Sequence, residues 1–576
     1  YAQPAPALVP PPPAARPSAA APAGAPVTDV RITVSGPHRP AVPPEGWRPP
    51  SEQGAALMLE HQAGQPLDEA WVRAQFTRHG VRGAGVGRAL AVVQLVNRAF
   101  LSAGFINSGV VVRASPAPGV LALEIVYGGL ASPAADVPPV VVEWVGGKAK
   151  GLDAAYVIDR MPSARRRPLS AVELERDFRL LAEDPGIRTI NADLRPGARA
   201  GEASLGLAVL PQDRFDLYVT VANNRSPSVG GERLAVGGQV RNLVGPGDRL
   251  SLEGGLTDGV EDATVAYAFP FVSPRTTVSV RGSYNDAAVI DEQLAPLDIR
   301  ARDRAFEAGF TRKLVDVPLL PSAEPGRWTP ARTLSAGMLF AWRRSTAYLL
   351  GERFSFAPGA VDGRTEYRAV RFVGDYVVRN VDQVFAVSVT GTRGLDGTKS
   401  DVPGLPVPEM DFHAVLAQVN YARRLTGDGL ELRARAYGQW ADSVLYSGER
   451  FSAGGETTVR GYRENLLLAD KGIVGSVELA RPFRLGGRQG AARTFDWGAF
   501  TASAFVDSAY MENHKPPQPT HRIYSVGASL AWTPAEMLSA RVTYAEDLKA
   551  VEHAGERDLQ DRGFSFRVTV RPLKFR

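Results

Sequence analysis

Phe564-Ser565-Phe566-Arg567-Val568-Thr569-Val570 decides how this chain is read. Successive side chains of an extended segment point to opposite sides, so Phe564, Phe566, Val568 and Val570 share one face and Ser565, Arg567 and Thr569 the other. The same period of two recurs upstream, where Leu430, Leu432, Ala434 and Ala436 alternate with Glu431, Arg433 and Arg435. It runs through Leu250, Leu252, Gly254 and Leu256, then Val265, Tyr267, Phe269 and Phe271, then Val278, Val280 and Tyr284. Leu334, Ala336, Met338, Phe340 and Trp342 follow it, as do Tyr524, Val526, Ala528, Leu530 and Trp532. A soluble β-sandwich also alternates, but it keeps charge off its buried face. Here one face stays apolar in strand after strand, while the other carries charges such as Arg371, Asp375 and Glu478. Apolar outside and polar inside is the pattern of a transmembrane β-barrel.

Sixteen candidate strands lie between Phe215 and the C-terminus. That is about 23 residues per strand, enough for a membrane strand of roughly 9–11 residues with alternating short turns and longer loops. Tyr267, Phe271, Trp342, Trp440 and Trp532 fall near strand ends, where interface girdles belong. The fold class read from the sequence is therefore a mainly β membrane protein with a 16-stranded antiparallel barrel, over residues 212–576. No stretch of the 576 residues approaches 18 consecutive apolar positions, which excludes a transmembrane helix and leaves a barrel open.

Upstream of the barrel the periodicity is mixed. Residues 1–26 are rich in Pro and Ala and read as an extended linker that buries no core. Residues 27–130 form a small α+β module. Val27–Val34 and Val120–Val126 alternate as strands, and Val110–Arg113 is a third. Leu67–His79 and Arg88–Ala103 have helical spacing, with Leu90, Val93, Val96, Asn97, Phe100 and Leu101 mostly on one face and Gly104 ending the helix. The order is β-α-α-β-β. It recurs in residues 131–211: strand Val140–Val145, a short helix Ala154–Arg160, a helix capped by Ser170 with Glu173 completing a capping box, and strands Ile187–Leu194 and Ala203–Val209.

Little in the chain points to catalysis. With no cysteine, thiolate metal sites, disulfides and cysteine nucleophiles are excluded. The seven His (38, 61, 79, 413, 514, 521, 553) are scattered without a metal-binding spacing. Gly83-x-Gly85-x-Gly87 lacks the βαβ setting of a dinucleotide site and reads as a turn. No catalytic residue, metal, cofactor or nucleotide site is read. With 66 basic against 61 acidic residues, nothing suggests nucleic acid as a partner. Arg165-Arg166-Arg167 is a candidate site for acidic partners or lipid headgroups, or else a solvated surface run. The chain opens at Tyr1 without Met, as expected after removal of a signal peptide or from a trimmed start.

One loop stands out. Residues 442–471 join two strands through about thirty residues, and a connection that long in a field of short hairpins needs a reason. It contains Phe451-Ser-Ala-Gly-Gly-Glu-Thr-Thr-Val459-Arg460-Gly461-Tyr462. Further on, Phe505-Val506-Asp507 lies in a strand whose lipid side is taken by Phe500, Ala502, Ala504 and Val506, so Asp507 is expected to face the lumen.

Val459-Arg460-Gly461-Tyr462 and Phe505-x-Asp507 resemble the two signature motifs of TpsB-type transporters, the outer-membrane pores of two-partner secretion that export haemolysins and adhesins. The resemblance extends over most of the chain. Asn97-x3-Leu101-x2-Gly104-Phe105-Ile106 and Gly119–Gly128 look like the family's first POTRA domain. Leu194-Arg195-Pro196-Gly197 with Gly201–Leu205 resembles the close of the second. Asn223-Asn224-Arg225 and Gly245-Pro246-Gly247-Asp248 resemble the start of the barrel. By this resemblance, residues 27–130 and 131–211 are two periplasmic POTRA domains, loop 442–471 folds into the lumen, and Arg460 pairs with Asp507, with Tyr462 and Phe505 close by. The implied function is capture of an unfolded exoprotein, adhesin-like or cytolysin-like and β-helical, and its passage through a barrel held in outer-membrane lipid. The rival readings are an insertase for other barrels and a passive porin. The chain departs from the family in two ways: residues 1–26 are not expected to form the amphipathic plug helix that many members carry, and Phe575 stands one position before the end.

Overall fold

The computed structural model describes residues 26–36, 38–50, 57–132, 137–147, 151–322, 326–400, 404, 407–489, 492–514, 521–551 and 557–575. The Pro/Ala-rich stretch expected over 1–26 lies outside them except for Pro26. The chain divides into two units, Tyr1–Gln212 and Asp213–Arg576.

The first unit repeats one motif twice. Its first copy consists of β1 (Asp29–Ser35), α1 (Glu69–Arg78), α2 (Val86–Ser102), β2 (Gly109–Val112) and β3 (Val120–Val126). β3 is the central strand, parallel to β1 and antiparallel to β2. Both helices pack on this sheet through Trp71, Phe76, Val92, Val96 and Phe100, against Leu123 and Ile125. The Asp68 carboxylate starts α1 by accepting from the Trp71 amide. The stripe on α2 is Ala89, Val92, Val93, Val96, Ala99 and Phe100. Leu90 and Leu101, expected on it, are exposed, because each lies one residue, about 100° of helix, away from a stripe position. Asn97 covers the outer edge of β2: its amide donates to the Val110 carbonyl and its oxygen accepts from the Val110 N–H.

The second copy contains β4 (Gly129–Leu130), β5 (Val140–Trp144), α3 (Ala154–Ile158), α4 (Ala171–Ala182), β6 (Ile187–Pro196) and β7 (Glu202–Pro211). β7 is central, parallel to β4 and β5 and antiparallel to β6. Its separate core is built on Tyr156, Leu174, Phe178, Leu181, Leu205 and Leu207. The Ser170 hydroxyl caps α4 by accepting from the Glu173 amide, while the Glu173 carboxylate is taken by Arg166. Gly129 and Leu130, read above as the end of the first module, belong to the second sheet; a strand of two residues is too short to show a period. Between the copies, Asn107 donates to the carbonyls of Gly129 and Gly201. The arginine run is also partnered inside this unit, Arg165 with Asp159 and Arg166 with Glu173.

The second unit is a closed barrel of sixteen long antiparallel strands. The first six are β8 (Phe215–Ala222), β9 (Arg233–Arg241), β10 (Arg249–Leu256), β11 (Val260–Phe271), β12 (Ser273–Ala288) and β13 (Arg300–Val317). Next come β14 (Ala331–Leu349), β15 (Arg364–Arg379), β16 (Gln383–Gly397), β17 (His413–Arg424) and β18 (Glu431–Ala441). The last five are β19 (Lys471–Gln489), β20 (Ala492–Glu512), β21 (Arg522–Ala535), β22 (Leu538–Asp547) and β23 (Phe564–Phe575). β23 returns to pair with β8, so no sheet edge is left open. No helix among the described residues is long and apolar enough to cross a membrane.

The alternation places side chains as a lipid-facing barrel requires. Along β20, Ala502, Ala504 and Val506 are exposed on the outer surface, while Phe505, Asp507 and Ala509 are buried inside. Val477, Leu479, Val526, Leu530 and Val542 add to the outer apolar band. The charges Arg233, Asp262, Arg371 and Glu478 point inward, where they pair with one another or with neighbours. In the turn between β9 and β10, Asp248 accepts from the amides of Leu243, Val244 and Gly245 and from the Tyr267 hydroxyl. Burial pushes the Asp248 carboxyl up, but these hydrogen bonds outweigh it and hold the group below its usual range.

Val568 is on the lipid face of β23 and Thr569 on the lumen face. Val568→Arg should lower the folding free energy of the barrel in bilayers by roughly 2–4 kcal/mol, and Thr569→Arg by clearly less. Equilibrium unfolding from vesicles measures both.

Candidate functional site

The connection between β18 and β19 turns back into the barrel instead of projecting from it. Its root is fixed by Asp470, a buried carboxylate that accepts from the amides of Leu445 and His514. Phe451–Ala453 and Leu467–Ala469 pair as a short hairpin that carries the chain inward. Gly454 and Gly455 then take φ values of 107° and 105°, open to glycine and not to other residues, and a Cβ on Gly455 would run into Glu464. This turn delivers residues 456–464 to the lumen wall.

Val459 and Tyr462 are the apolar part of the tip. Both are buried, packed with Val474, Ala509, Met511 and Ile523 from β19, β20 and β21. The Tyr462 hydroxyl lies 2.9 Å from the carbonyls of Tyr524 and Lys549. Gly461 has φ of 90°, and a Cβ there would sit 2.8 Å from the Ala545 carbonyl oxygen, so glycine is required twice over.

Arg460 is the polar part. Its side chain is 5% exposed and that of Asp507 is 0% exposed. Nε donates to Asp507 Oδ2 at 2.8 Å and Nη2 to Oδ1 at 2.9 Å, a fork-to-fork pair. The Arg460 amide adds a third bond to Oδ2 at 3.1 Å. Nη1 donates to Glu478 Oε2 at 2.7 Å, and Nη2 reaches Ser476 Oγ at 3.2 Å. The guanidinium carbon stands 3.2 Å from the centre of the Phe505 ring, a cation–π contact. The structure thus brings Arg460, Phe505 and Asp507 into one contact set, with Val459 and Gly461 beside it. Tyr462, expected near the pair, instead packs towards β21.

Glu478 and Ser476 were not singled out as partners from the sequence. Both face Phe505 and Asp507 across the β19–β20 register, Glu478 opposite Phe505 and Ser476 opposite Asp507, and register is not written in a single strand. A second anchor was missed as well. Glu449 accepts from the Tyr367 hydroxyl and from Arg371, Tyr446 stacks on Tyr367 with centroids 4.7 Å apart, and Arg343 donates to the Gly448 carbonyl. The loop is therefore held near its root by β14 and β15 and at its tip by β19 and β20. Gly83 and Gly85 lie in the turn before α2, with Gly85 as its N-cap.

Comparison with known proteins places this geometry. The family model "Haemolysin secretion/activation protein ShlB/FhaC/HecB" matches residues 331–530, a span that includes the loop and both motif strands. The heme/hemopexin transporter protein HuxB of Haemophilus influenzae is 22% identical over 390 residues, covering 65% of this chain and 64% of HuxB. The outer membrane transporter CdiB of Dickeya dadantii is 28% identical over 153 residues, covering 27% of this chain and 26% of CdiB. The alignments thus span less than two thirds of the length of these relatives. Among solved structures, CdiB from Escherichia coli superposes with a TM-score of 0.61 at 17% identity, over 97% of this chain and 92% of that one, and so has the same fold.

The arrangement fixes an order among substitutions. Arg460→Ala leaves Asp507 without its cation in a dry site and Glu478 with only the longer Arg433 contact at 3.4 Å, whereas Asp507→Ala leaves Arg460 still paired with Glu478. Breaking a buried pair costs about 3–5 kcal/mol. Arg460→Ala should therefore loosen the tip by an amount in that range, and Asp507→Ala by less. Protease accessibility of residues 456–464 in the assembled barrel reads the difference.

Proposed function

Because the chain belongs to the haemolysin secretion/activation family of outer-membrane transporters, we propose that it is the pore of a two-partner secretion system: its two α+β modules act as POTRA domains that capture an unfolded exoprotein in the periplasm, and its barrel passes that exoprotein to the cell surface. The barrel lies in the outer membrane of a Gram-negative bacterium. The observation that carries the reading is the lumenal loop held through Arg460 by Asp507, Glu478 and Phe505. A passive porin has no use for a buried cation on the tip of an in-folded loop. An isolated guanidinium is costly to bury, so a tip of this kind is stable in one seating only. Val459, Arg460, Gly461, Tyr462, Phe505 and Asp507 are the residues assigned to transport. No catalytic step is assigned, and no nucleotide drives the passage; capture on one side and folding of the exoprotein on the other supply the direction.

Capture follows from the sheets. Among the described residues β5 and β6 each pair on one side only, with β7, so the second module offers strand edges for an extended segment to join by β-augmentation. The edge of β2 is already occupied by Asn97. The cargo is a secreted protein of adhesin or cytolysin type, with the repetitive strands of a β-helix, which supplies such segments.

The experiment is co-expression with a large β-helical exoprotein as cargo, with cargo measured in the medium and barrel counted in the outer membrane. Arg460→Ala should reduce secretion at least tenfold while the barrel count stays unchanged. Normal secretion by this variant removes the transport role of the motif, and loss of the barrel makes it an assembly motif. A soluble fragment 27–211, which contains two complete cores, should retain an unfolded N-terminal cargo segment in a pull-down. Proline placed on β6 at Ala192, whose N–H points away from β7, should weaken that retention, since it removes an edge N–H.

A further inference from the structure

The loop tip grips the barrel at a second place, away from Arg460, where the first and last strands meet. The β8–β23 pairing runs from Arg567↔Ala222 to Phe575↔Phe215 and slips between Val570 and Leu573. Pro572, which has no N–H to give, lies at the slip. By contrast, β19 and β20 pair from Lys471↔Glu512 to Gln489↔Ala492. The seam is thus one of the shorter junctions in the wall, and side chains reinforce it. Thr220 and Thr569 hydroxyls lie 2.9 Å apart across it. Asn223, just after β8, donates to the Phe564 carbonyl and accepts from the Phe566 amide.

The loop adds to this. Arg463 Nε and Nη2 donate to Asp561 Oδ1 and Oδ2, both at 2.6 Å, and the two side chains are 9% and 4% exposed. Asp561 stands in the connection that leads into β23. The Glu464 amide donates to Gln560 Oε1 at 2.9 Å, and Gln560 Nε2 donates to the Arg225 carbonyl at 2.7 Å, across the seam in the connection that leaves β8. Glu456 accepts from Arg567 of β23 at 2.7 Å. A loop rooted between β18 and β19 is therefore tied to the last strand, and through Gln560 to the chain beside the first.

We propose that Arg463 and Glu456 are positioning residues that latch the loop tip over the β8–β23 seam and keep it closed while an exoprotein moves through the lumen. The latch is separate from the Arg460 anchor, so the loop has two duties: Arg460 sets its place in the conduit, and Arg463 keeps the conduit wall shut. The proposal rests on the translocation reading above.

The test uses the full chain in outer membranes with Thr220→Cys and Thr569→Cys as reporters. In the otherwise unaltered chain the two thiols should cross-link readily and resist a soluble maleimide before oxidation. Adding Arg463→Ala should raise the labelling rate roughly tenfold or more, the factor expected for loss of a charged hydrogen-bond pair, and should lower the temperature at which the folded form is lost on semi-native gels. Asp561→Asn, which keeps the side-chain shape, serves the same comparison if Arg463→Ala fails to assemble. The exchanged pair Arg463→Asp with Asp561→Arg should restore protection, and Arg460→Ala, which loosens the tip but leaves the Arg463–Asp561 pair in place, should raise the labelling less than Arg463→Ala does. The oxidised, cross-linked barrel should secrete as well as the reduced one. Unchanged labelling in Arg463→Ala, or exposure of the seam by Arg460→Ala to the same degree, overturns the latch. Secretion by the reduced but not the cross-linked barrel also overturns it, because the seam must then open, and leaves the translocation reading intact. If the unaltered chain secretes nothing, the translocation reading fails, while the labelling comparison still decides whether Arg463 closes the seam.

Discussion

A positive charge on the tip of a loop, taken out of water inside a protein, must find negative charge or return to solvent. Arg460 finds two carboxylates, a hydroxyl and an aromatic face, all presented by β19 and β20. Much else in the lumen follows from that requirement. The glycines at 454, 455 and 461 exist to bring the guanidinium there without a side chain in the way, and Val459 and Tyr462 exclude water around it. Asp507 can be buried completely only because Arg460 meets it with three donors. Neither partner is stable in its place alone.

Two kinds of force divide the labour in the barrel. Ladder hydrogen bonds and the outer apolar band hold the wall, and the loop adds to them only at the β8–β23 seam. Ion pairs hold the loop, at Glu449 near its root, at Arg460 in the middle and at Arg463 towards the seam. Such pairs have defined geometry and exchange partners without disturbing the strands. A loop fixed by charge at separate places can reseat its Arg460 anchor while the Arg463 contact at the seam stays in place, which a packed apolar core does not allow.

The sequence shows the wall more clearly than the lumen. Period-two alternation is a local signal, so the strands and their lipid faces can be read residue by residue, as in Phe564–Val570. The Arg460–Asp507 pairing was visible only through the resemblance of two motifs, since no local pattern links residues 47 positions apart. Glu478 carries no mark of its role, because it depends on which residue of β20 lies opposite. The Glu449 anchor and the Arg463–Asp561 pair depend on where the loop lands, which only the fold determines. In the first unit the helical period revealed α2 but misplaced Leu90 and Leu101 by one residue. The two-residue strand Gly129–Leu130 was too short for any pattern.

The central claim is that the fork of Arg460, and not merely its charge, seats the loop for transport. Arg460→Lys separates the two. Lysine keeps the positive charge but as a point charge on one nitrogen, without the planar fork that meets both Asp507 oxygens while a third nitrogen reaches Glu478. Secretion by Arg460→Lys, measured beside the amount of barrel in the outer membrane, is the direct test. The account predicts secretion close to that of Arg460→Ala with an unchanged barrel. Secretion close to that of the unaltered chain would contradict it.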